Sequence, residues 1–307
     1  MPFDAPRSAV SSAVSSAVSS SPEALGSSAP VAIFDSGLGG LSVLRAVRAA
    51  LPDERLIYVA DSLYAPYGER DDDFIADRTL AIGEWLVSQG AKTLVVACNT
   101  ATSQSIAQTR ERLPIPVIGV EPGVKPAALT SQTRVVGVLA TAVTLRSARF
   151  QALAERHTSD CHFILQPGHG LVQAVERCDV NSPELVALLR SYVQPMLDAN
   201  ADTLVLGCTH YPFLDQAIRS ISGDRLTLID TSIAIARQLE RQLDSFGLRA
   251  APARDQAQAI ELPRFYSTND GQALRHLAAS LLGLDVTVEH AVIPSRRTLA
   301  LESDPAV

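Results

Sequence analysis

From about Pro30 onward, short apolar runs rich in β-branched residues alternate with longer stretches of helical character. The short runs predict strands at Val31–Phe34, Leu56–Ala60, Thr93–Ala97, Val117–Val120, Val135–Leu139, His162–Leu165, Thr203–Leu206 and Leu226–Ile229. The longer stretches predict helices at Leu41–Ala50, Asp71–Gln89, Thr102–Arg112, Ala148–Arg156, Pro183–Leu197, Phe213–Ser220 and Ile233–Phe246. A helix-like stretch at Gln272–Leu282 and a short run at Val286–Val288 follow. Strands alternating with helices of this length predict an α/β fold, with parallel sheets covered by helices on both faces.

The pattern is written twice. Leu-Val-Val-Ala-Cys-Asn-Thr at 94–100 answers Leu-Val-Leu-Gly-Cys-Thr-His at 204–210, and Ile33-Phe34-Asp35 answers Val138-Leu139-Ala140. Tyr58-Val59-Ala60-Asp61 answers Phe163-Ile164-Leu165-Gln166, and Ile118-Gly119-Val120-Glu121 answers Leu228-Ile229-Asp230. The offsets all fall between 105 and 110 positions. This predicts two similar α/β domains related by internal duplication, with an active site in the cleft between them. The first would comprise 30–124 with 231–292, and the second 125–230. Residues 1–29, with Ser-Ala-Val-Ser written three times over 8–20, read as a disordered low-complexity tail. A targeting segment and a misassigned start codon both remain open for it. Residues 293–307 read as a frayed terminus.

Composition narrows the classes. The chain has 307 residues, 47% apolar and 19% charged, enough for a packed core and not the balance of a disordered protein. A net charge of −7 argues against a nucleic-acid surface. No run approaches the roughly 18 unbroken apolar residues of a membrane span. Of 26 basic residues only Lys92 and Lys125 are lysines, and neither lies in a motif that would hold pyridoxal phosphate. The four cysteines, 98, 161, 178 and 208, form no Cys-x-x-Cys and read as free thiols in a reducing cytoplasm. Cys161 and Cys178 lack the strand-end setting of the other two.

In open parallel sheets ligands bind beyond the carboxyl ends of the strands. There the chain places Asp35-Ser36, Asp61, Tyr67-Gly68, Cys98-Asn99-Thr100, Thr141, Thr144 and Cys208-Thr209-His210. Two thiols at matching points of two repeats suit a site with a sulfur on each face of one carbon. Each thiol precedes a predicted helix, whose N-terminal partial charge favours thiolate. Other readings stand beside this one. Either cysteine could be a packed core residue, and Asp35 and Ser36 could be helix caps. Tyr67 could be a packing aromatic. Cys98, Cys208 and His210 could serve a metal or redox chemistry, though the spacing lacks a paired-ligand motif. A two-lobed binder of a small ligand would also fit. The Gly37-Leu38-Gly39-Gly40 loop has Ser42 where a dinucleotide fingerprint needs glycine. It reads instead as a tight turn whose N–H groups could hold a carboxylate.

Four motifs carry a resemblance: Phe34-Asp35-Ser36-Gly37-Leu38-Gly39-Gly40, Tyr64-Ala65-Pro66-Tyr67-Gly68, Ala97-Cys98-Asn99-Thr100-Ala101-Thr102 and Gly207-Cys208-Thr209-His210-Tyr211-Pro212. Over about 31–290 the chain resembles the glutamate racemase family of the aspartate/glutamate racemase superfamily. The resemblance implies cofactor-independent interconversion of L- and D-glutamate, supplying D-glutamate for peptidoglycan. It implies a cytoplasmic protein with glutamate as its partner, no nucleic acid and no membrane, and it allows a homodimer. By motif, Cys98 and Cys208 would be the acid/base pair. Asp35, Ser36, Tyr67, Gly68, Asn99, Thr100, Thr209 and His210 would line the substrate, and Thr141 and Thr144 would contact a carboxylate. Asp35, His210 and Glu176 would assist the thiols, and no metal is implied. Two departures from the family pattern are Val143, where a glycine is common, and Pro167-Gly168-His169-Gly170, where a Cys-Pro-Gly turn is common.

Overall fold

The computed structural model describes residues 26–157, 161–252 and 261–295. The first repeat runs β1 (Val31–Asp35), α1 (Leu41–Ala50), β2 (Leu56–Ala60), α2 (Asp72–Ser88), β3 (Thr93–Val96), α3 (Asn99–Arg112) and β4 (Val117–Gly119). After α4 (Val124–Thr130) come β5 (Val135–Ala140), α5 (Ala142–Arg146), α6 (Ala148–Glu155) and β6 (His162–Pro167). The second repeat continues with α7 (Leu171–Glu176), α8 (Pro183–Asp198), β7 (Thr203–Gly207), α9 (Asp215–Ser222) and β8 (Thr227–Ile229). The chain then returns through α10 (Ser232–Ser245), β9 (Arg264–Ser267), α11 (Gln272–Leu282) and β10 (Val288–His290).

The strands form two parallel sheets with one shared order. One reads β10-β9-β2-β1-β3-β4 and the other β6-β5-β7-β8. The core order 2-1-3-4 therefore occurs in both, which is the structural form of the sequence repeat. Alternate residues of β1 face opposite ways: Val31 and Ile33 pack towards α1, α10 and α11, while Ala32 and Phe34 pack towards α2 and α3. In the second sheet Leu139, Leu204 and Leu206 face α7, α8 and α9, and Val136, Val138 and Val205 face α4 and α6. With both faces covered, β1, β2, β3 and β7 are buried at every position, which is why they read as unbroken apolar runs. Among the described residues no helix is long and apolar enough to cross a membrane.

Several local expectations need correction. β9 extends the first sheet by pairing in parallel with β2, yet its Arg-Phe-Tyr-Ser carries too short an apolar run to announce a strand. β10 pairs with β9 two residues beyond the predicted run at 286–288. Helix α3 begins at Asn99 rather than Thr102, because the Cys98 sulfur accepts the Ala101 N–H and acts as its cap. The terminus is not frayed at residue 293, since Ile293 and Ser295 are buried. The remainder of that segment, and residues 1–25 of the expected tail, lie outside the described residues.

Asp202, just ahead of β7, stitches the loop entering β5. Its carboxylate accepts from Ser131 Oγ and Gln132 N at 2.6 Å, and from Thr133 N and Thr203 Oγ1 at 2.9 Å. Burial would raise its pKa, but the bonds from Ser131, Thr133, Gln132 and Thr203 outweigh it and bring it to about 2. Because the unfolded value lies near 3.9, this stabilisation is complete above about pH 5 and fades as pH falls through about 2. Asp202→Asn is expected to lose about 1 kcal/mol at pH 7 in denaturant melts, a screened value for a half-buried group. The gap between variant and parent should close towards pH 2; a gap that persists there would remove the charge from the account.

Candidate active site

In a sheet of order 2-1-3-4 the chain leaves β1 in one direction and later returns on its other side. The crevice at that reversal opens beyond the carboxyl ends of strands 1 and 3. The first sheet places Asp35 and Ser36 at the end of β1 and Cys98-Asn99-Thr100 after β3. The second places Thr141 after β5 and Cys208-Thr209-His210 after β7. The two crevices face each other and touch. Thr209 Oγ1 donates to Asp35 Oδ2 at 2.9 Å, and Ser42 Oγ lies 3.3 Å from the Thr209 carbonyl. The hydroxyls of Thr100, Thr141 and Thr144 lie within 2.9–3.4 Å of one another, two of them from the second repeat.

The glycine loop supports this contact through close approach rather than left-handed backbone. Gly37, Gly39 and Gly40 are absent from the positive-φ positions. A Cβ on Gly39 would overlap His210 Nδ1 and Thr209 Oγ1, and one on Gly37 would overlap the Glu176 carboxylate. The loop does hold a carboxylate, as its N–H groups allow, and it is the protein's own: Leu38 N–H donates to Glu176 Oε1 at 2.7 Å. The same oxygen lies 2.6 Å from His210 Nε2, while His210 Nδ1 lies 3.6 Å from Cys208 Sγ. Burial would push the His210 ring down, but its bonds to Cys208 and Glu176, and their charges, outweigh burial and hold its pKa well above the ordinary value. Both ring nitrogens thus have a polar partner, Cys208 on one side and Glu176 on the other.

Cys98 sits in a different environment. Burial pushes its thiol up to about 12, with Asp35 adding to the shift and Cys208 near enough to contribute; the bonds to Ser36 and Ala101 pull the other way and lose. The expectation that a helix N-terminus would favour thiolate fails for Cys98, because one capping N–H cannot offset complete desolvation beside a carboxylate. Cys98 is a thiol and donates to Ser36 Oγ at 3.4 Å. Asp35, fully buried, is itself raised by desolvation, against the pull of His210, Gly37 and Thr209.

The other expected residues are nearby, with two qualifications. Tyr67 is buried and its hydroxyl donates to Asp61 Oδ2 at 2.5 Å, so this loop meets the second repeat through the neighbouring Gly68 backbone, where a Cβ would lie 3.1 Å from Thr141 Cβ. Asn99 Oδ1 is buried without a hydrogen-bond partner, an acceptor left for a donor the protein does not supply. Val143 packs fully buried against the first repeat's core, and Gly168 lies under Tyr211, whose hydroxyl reaches its carbonyl at 3.3 Å. The space between Pro66–Glu69 and Gly168–Gln173 is about 30 Å³, room for water and not for an amino acid. Among the described residues no three His, Cys, Asp or Glu side chains converge as a metal site. The residue the sequence reading passed over is Arg78, which is fully buried behind Asp61.

Residues 41–239 match the Asp/Glu/Hydantoin racemase family. A glutamate racemase of Ralstonia pickettii (strain 12J) is 60% identical over 257 residues, covering 84% of this chain and 89% of that protein. The crystal structure of Escherichia coli glutamate racemase in complex with L-glutamate and activator UDP-MurNAc-ala superposes with a TM-score of 0.76 at 30% identity, covering 87% of this chain and all of that one. Glutamate racemase from Francisella tularensis in complex with D-glutamate gives a TM-score of 0.75 at 26% identity, covering 87% of this chain and 98% of that one.

Gly39→Ala should keep both sheets intact while holding the loop off His210 and Thr209. A misplacement of this size is expected to cost about 10²-fold in kcat/KM on a turnover substrate. Thermal melts should shift by no more than about 2 °C, since the side chain is added at the meeting of the lobes and not within a core. Unchanged turnover would show that the close approach is not needed.

Proposed function

Because the chain belongs to the Asp/Glu/hydantoin racemase family, we propose that it interconverts L- and D-glutamate without a cofactor, with Cys98 and Cys208 as the acid/base pair. The observation that supports this reading best is the placing of two buried thiols at equivalent strand ends of two facing repeats, close enough for one to shift the other's titration.

Racemisation at Cα needs a base on one face and an acid on the other. With two sulfurs the reverse reaction exchanges their roles. The protonation pattern prepares one direction. Cys98 is a thiol, poised to give its proton. Cys208 Sγ lies 3.6 Å from His210 Nδ1, so the ring stands within reach of a proton that this sulfur gains or loses. In the L-to-D direction the two sulfurs take opposite parts. Cys208 takes the α-proton, Cys98 delivers one to the opposite face, and the product is D-glutamate with the two protonation states exchanged. Glu176 holds His210 in place through a 2.6 Å bond. The hydroxyls of Thr100, Thr141, Thr144 and Thr209 and the amide of Asn99 supply the donors for the two carboxylates, and Asp35, Ser36 and Gly68 complete the lining. Positioned acid/base groups each contribute about 10²–10⁴-fold, so positioning and electrostatic stabilisation of the carbanion carry the rest. The D-glutamate so formed would serve peptidoglycan synthesis in the cytoplasm, where the four free cysteines would stay reduced.

Incubation with L-glutamate in D₂O should yield D-glutamate carrying deuterium at Cα, with no need of added pyridoxal phosphate or metal. Cys98→Ser and Cys208→Ser should each lower kcat/KM by at least about 10²-fold. Both variants racemising at the parent rate would defeat the two-thiol mechanism, and a parent protein that leaves the α-proton unexchanged would defeat the racemase reading itself.

A further inference from the structure

We infer that Arg78 is a positioning residue for the reaction, holding the Tyr67–Gly68 loop against the substrate cleft through Asp61. The inference rests on the racemase reading for its kinetic consequence but not for its geometry.

Arg78 lies in the middle of α2 with its side chain fully buried. A buried guanidinium is tolerated only when its donors are matched, and here they are. Nη2 donates to Asp61 Oδ1 at 2.7 Å and Nε to Asp61 Oδ2 at 3.0 Å, a two-pronged grip on one carboxylate. Nη1 donates to the carbonyl of Ile293, and the guanidinium carbon lies 4.5 Å above the Tyr64 ring. One side chain thus joins the end of β2, the Tyr64–Gly68 loop and the returning C-terminal segment.

Asp61 passes this fixation inward. Its N–H donates to the Asp35 carbonyl at 3.0 Å, and its Oδ2 accepts the Tyr67 hydroxyl at 2.5 Å. The Tyr67 ring packs on Phe34, the residue before Asp35, with ring centres 6.2 Å apart. Gly68 abuts Thr141, whose hydroxyl lies 2.9 Å from that of Thr100. Rotation of the phenol away from Asp61 would carry Gly68 off Thr141 and loosen the hydroxyl cluster that follows Cys98. Arg78 itself touches none of these cleft groups. Lysine cannot replace it, because a single ammonium cannot span both Asp61 oxygens and the Ile293 carbonyl.

Arg78→Lys and Tyr67→Phe test the chain of contacts at two links, the second leaving the buried ion pair intact. Both are expected to raise the KM for glutamate about tenfold while kcat stays within about threefold, the signature of weakened positioning of bound substrate. Loss of folded enzyme would instead lower the apparent kcat and leave KM unchanged. Independently of turnover, Cys98 in both variants should be alkylated by iodoacetamide several-fold faster than in the parent, measured by peptide mass spectrometry. Unchanged KM and unchanged Cys98 alkylation in Tyr67→Phe would overturn the inference, as would a fall in kcat alone in both variants. A parent that fails to racemise glutamate would overturn the racemase reading alone, and the alkylation rates would then decide this one.

Discussion

The bond from Thr209 to Asp35 joins the end of one strand system to the end of the other, in a place from which water is excluded. An aspartate buried completely with so few donors is expensive, and its pKa rises accordingly. The site accepts that cost because Asp35 can be matched only when the second repeat is in place. Glu176 obeys the same constraint, since its Oε1 is shared by Leu38 of the first repeat and His210 of the second. These crossings fix how the two crevices face each other, and with that the relation of Cys98 to Cys208. The glycines at 37 and 39 follow from it, because any side chain there would occupy the space of the groups making the bonds.

Duplication provides two equivalent sulfurs, and their surroundings make them different. Cys98 has a hydroxyl and one backbone N–H, with an acidic neighbour that opposes ionisation. Cys208 has a histidine ring secured from behind by a carboxylate. The strand ends carry symmetry in position, and the residues after them break it: Asn99-Thr100 in one repeat, Thr209-His210 in the other.

Much of this was legible in the chain. Buried parallel strands must read as apolar runs, as β1, β2, β3 and β7 do, and the spacing of Cys98 and Cys208 carries the duplication in the sequence itself. Order within the sheets and the facing of the crevices depend on pairing between distant segments, which local pattern does not contain. β9 left no such run, with only Phe265 and Tyr266 apolar among its four residues, and β10 begins where the short run at 286–288 ends. Arg78 left a trace that could have been followed: it lies four residues after Phe74, three after Ile75 and four before Ile82, on the buried face of α2. A charge on an apolar helical face asks for a buried partner, and Asp61, already conspicuous at a strand end, was the available one. The state of Cys98 was misjudged because a helix terminus is visible in sequence whereas the depth of burial and the nearness of Asp35 are not.

The described state also constrains how substrate enters. The hydroxyls of Thr100, Thr141 and Thr144 satisfy one another, and Thr209 satisfies Asp35. A substrate carboxylate must displace these internal bonds, so each new contact is paid for with an old one and the net gain per hydrogen bond is small. Affinity then depends on how little the walls rearrange once the substrate is inside. That requirement gives a physical purpose to the rigid groups behind the cleft, the Glu176–His210 pair on one side and the Asp61–Arg78 pair on the other. They hold the walls in place, which under the proposed mechanism leaves binding energy for aligning Cα between the two sulfurs.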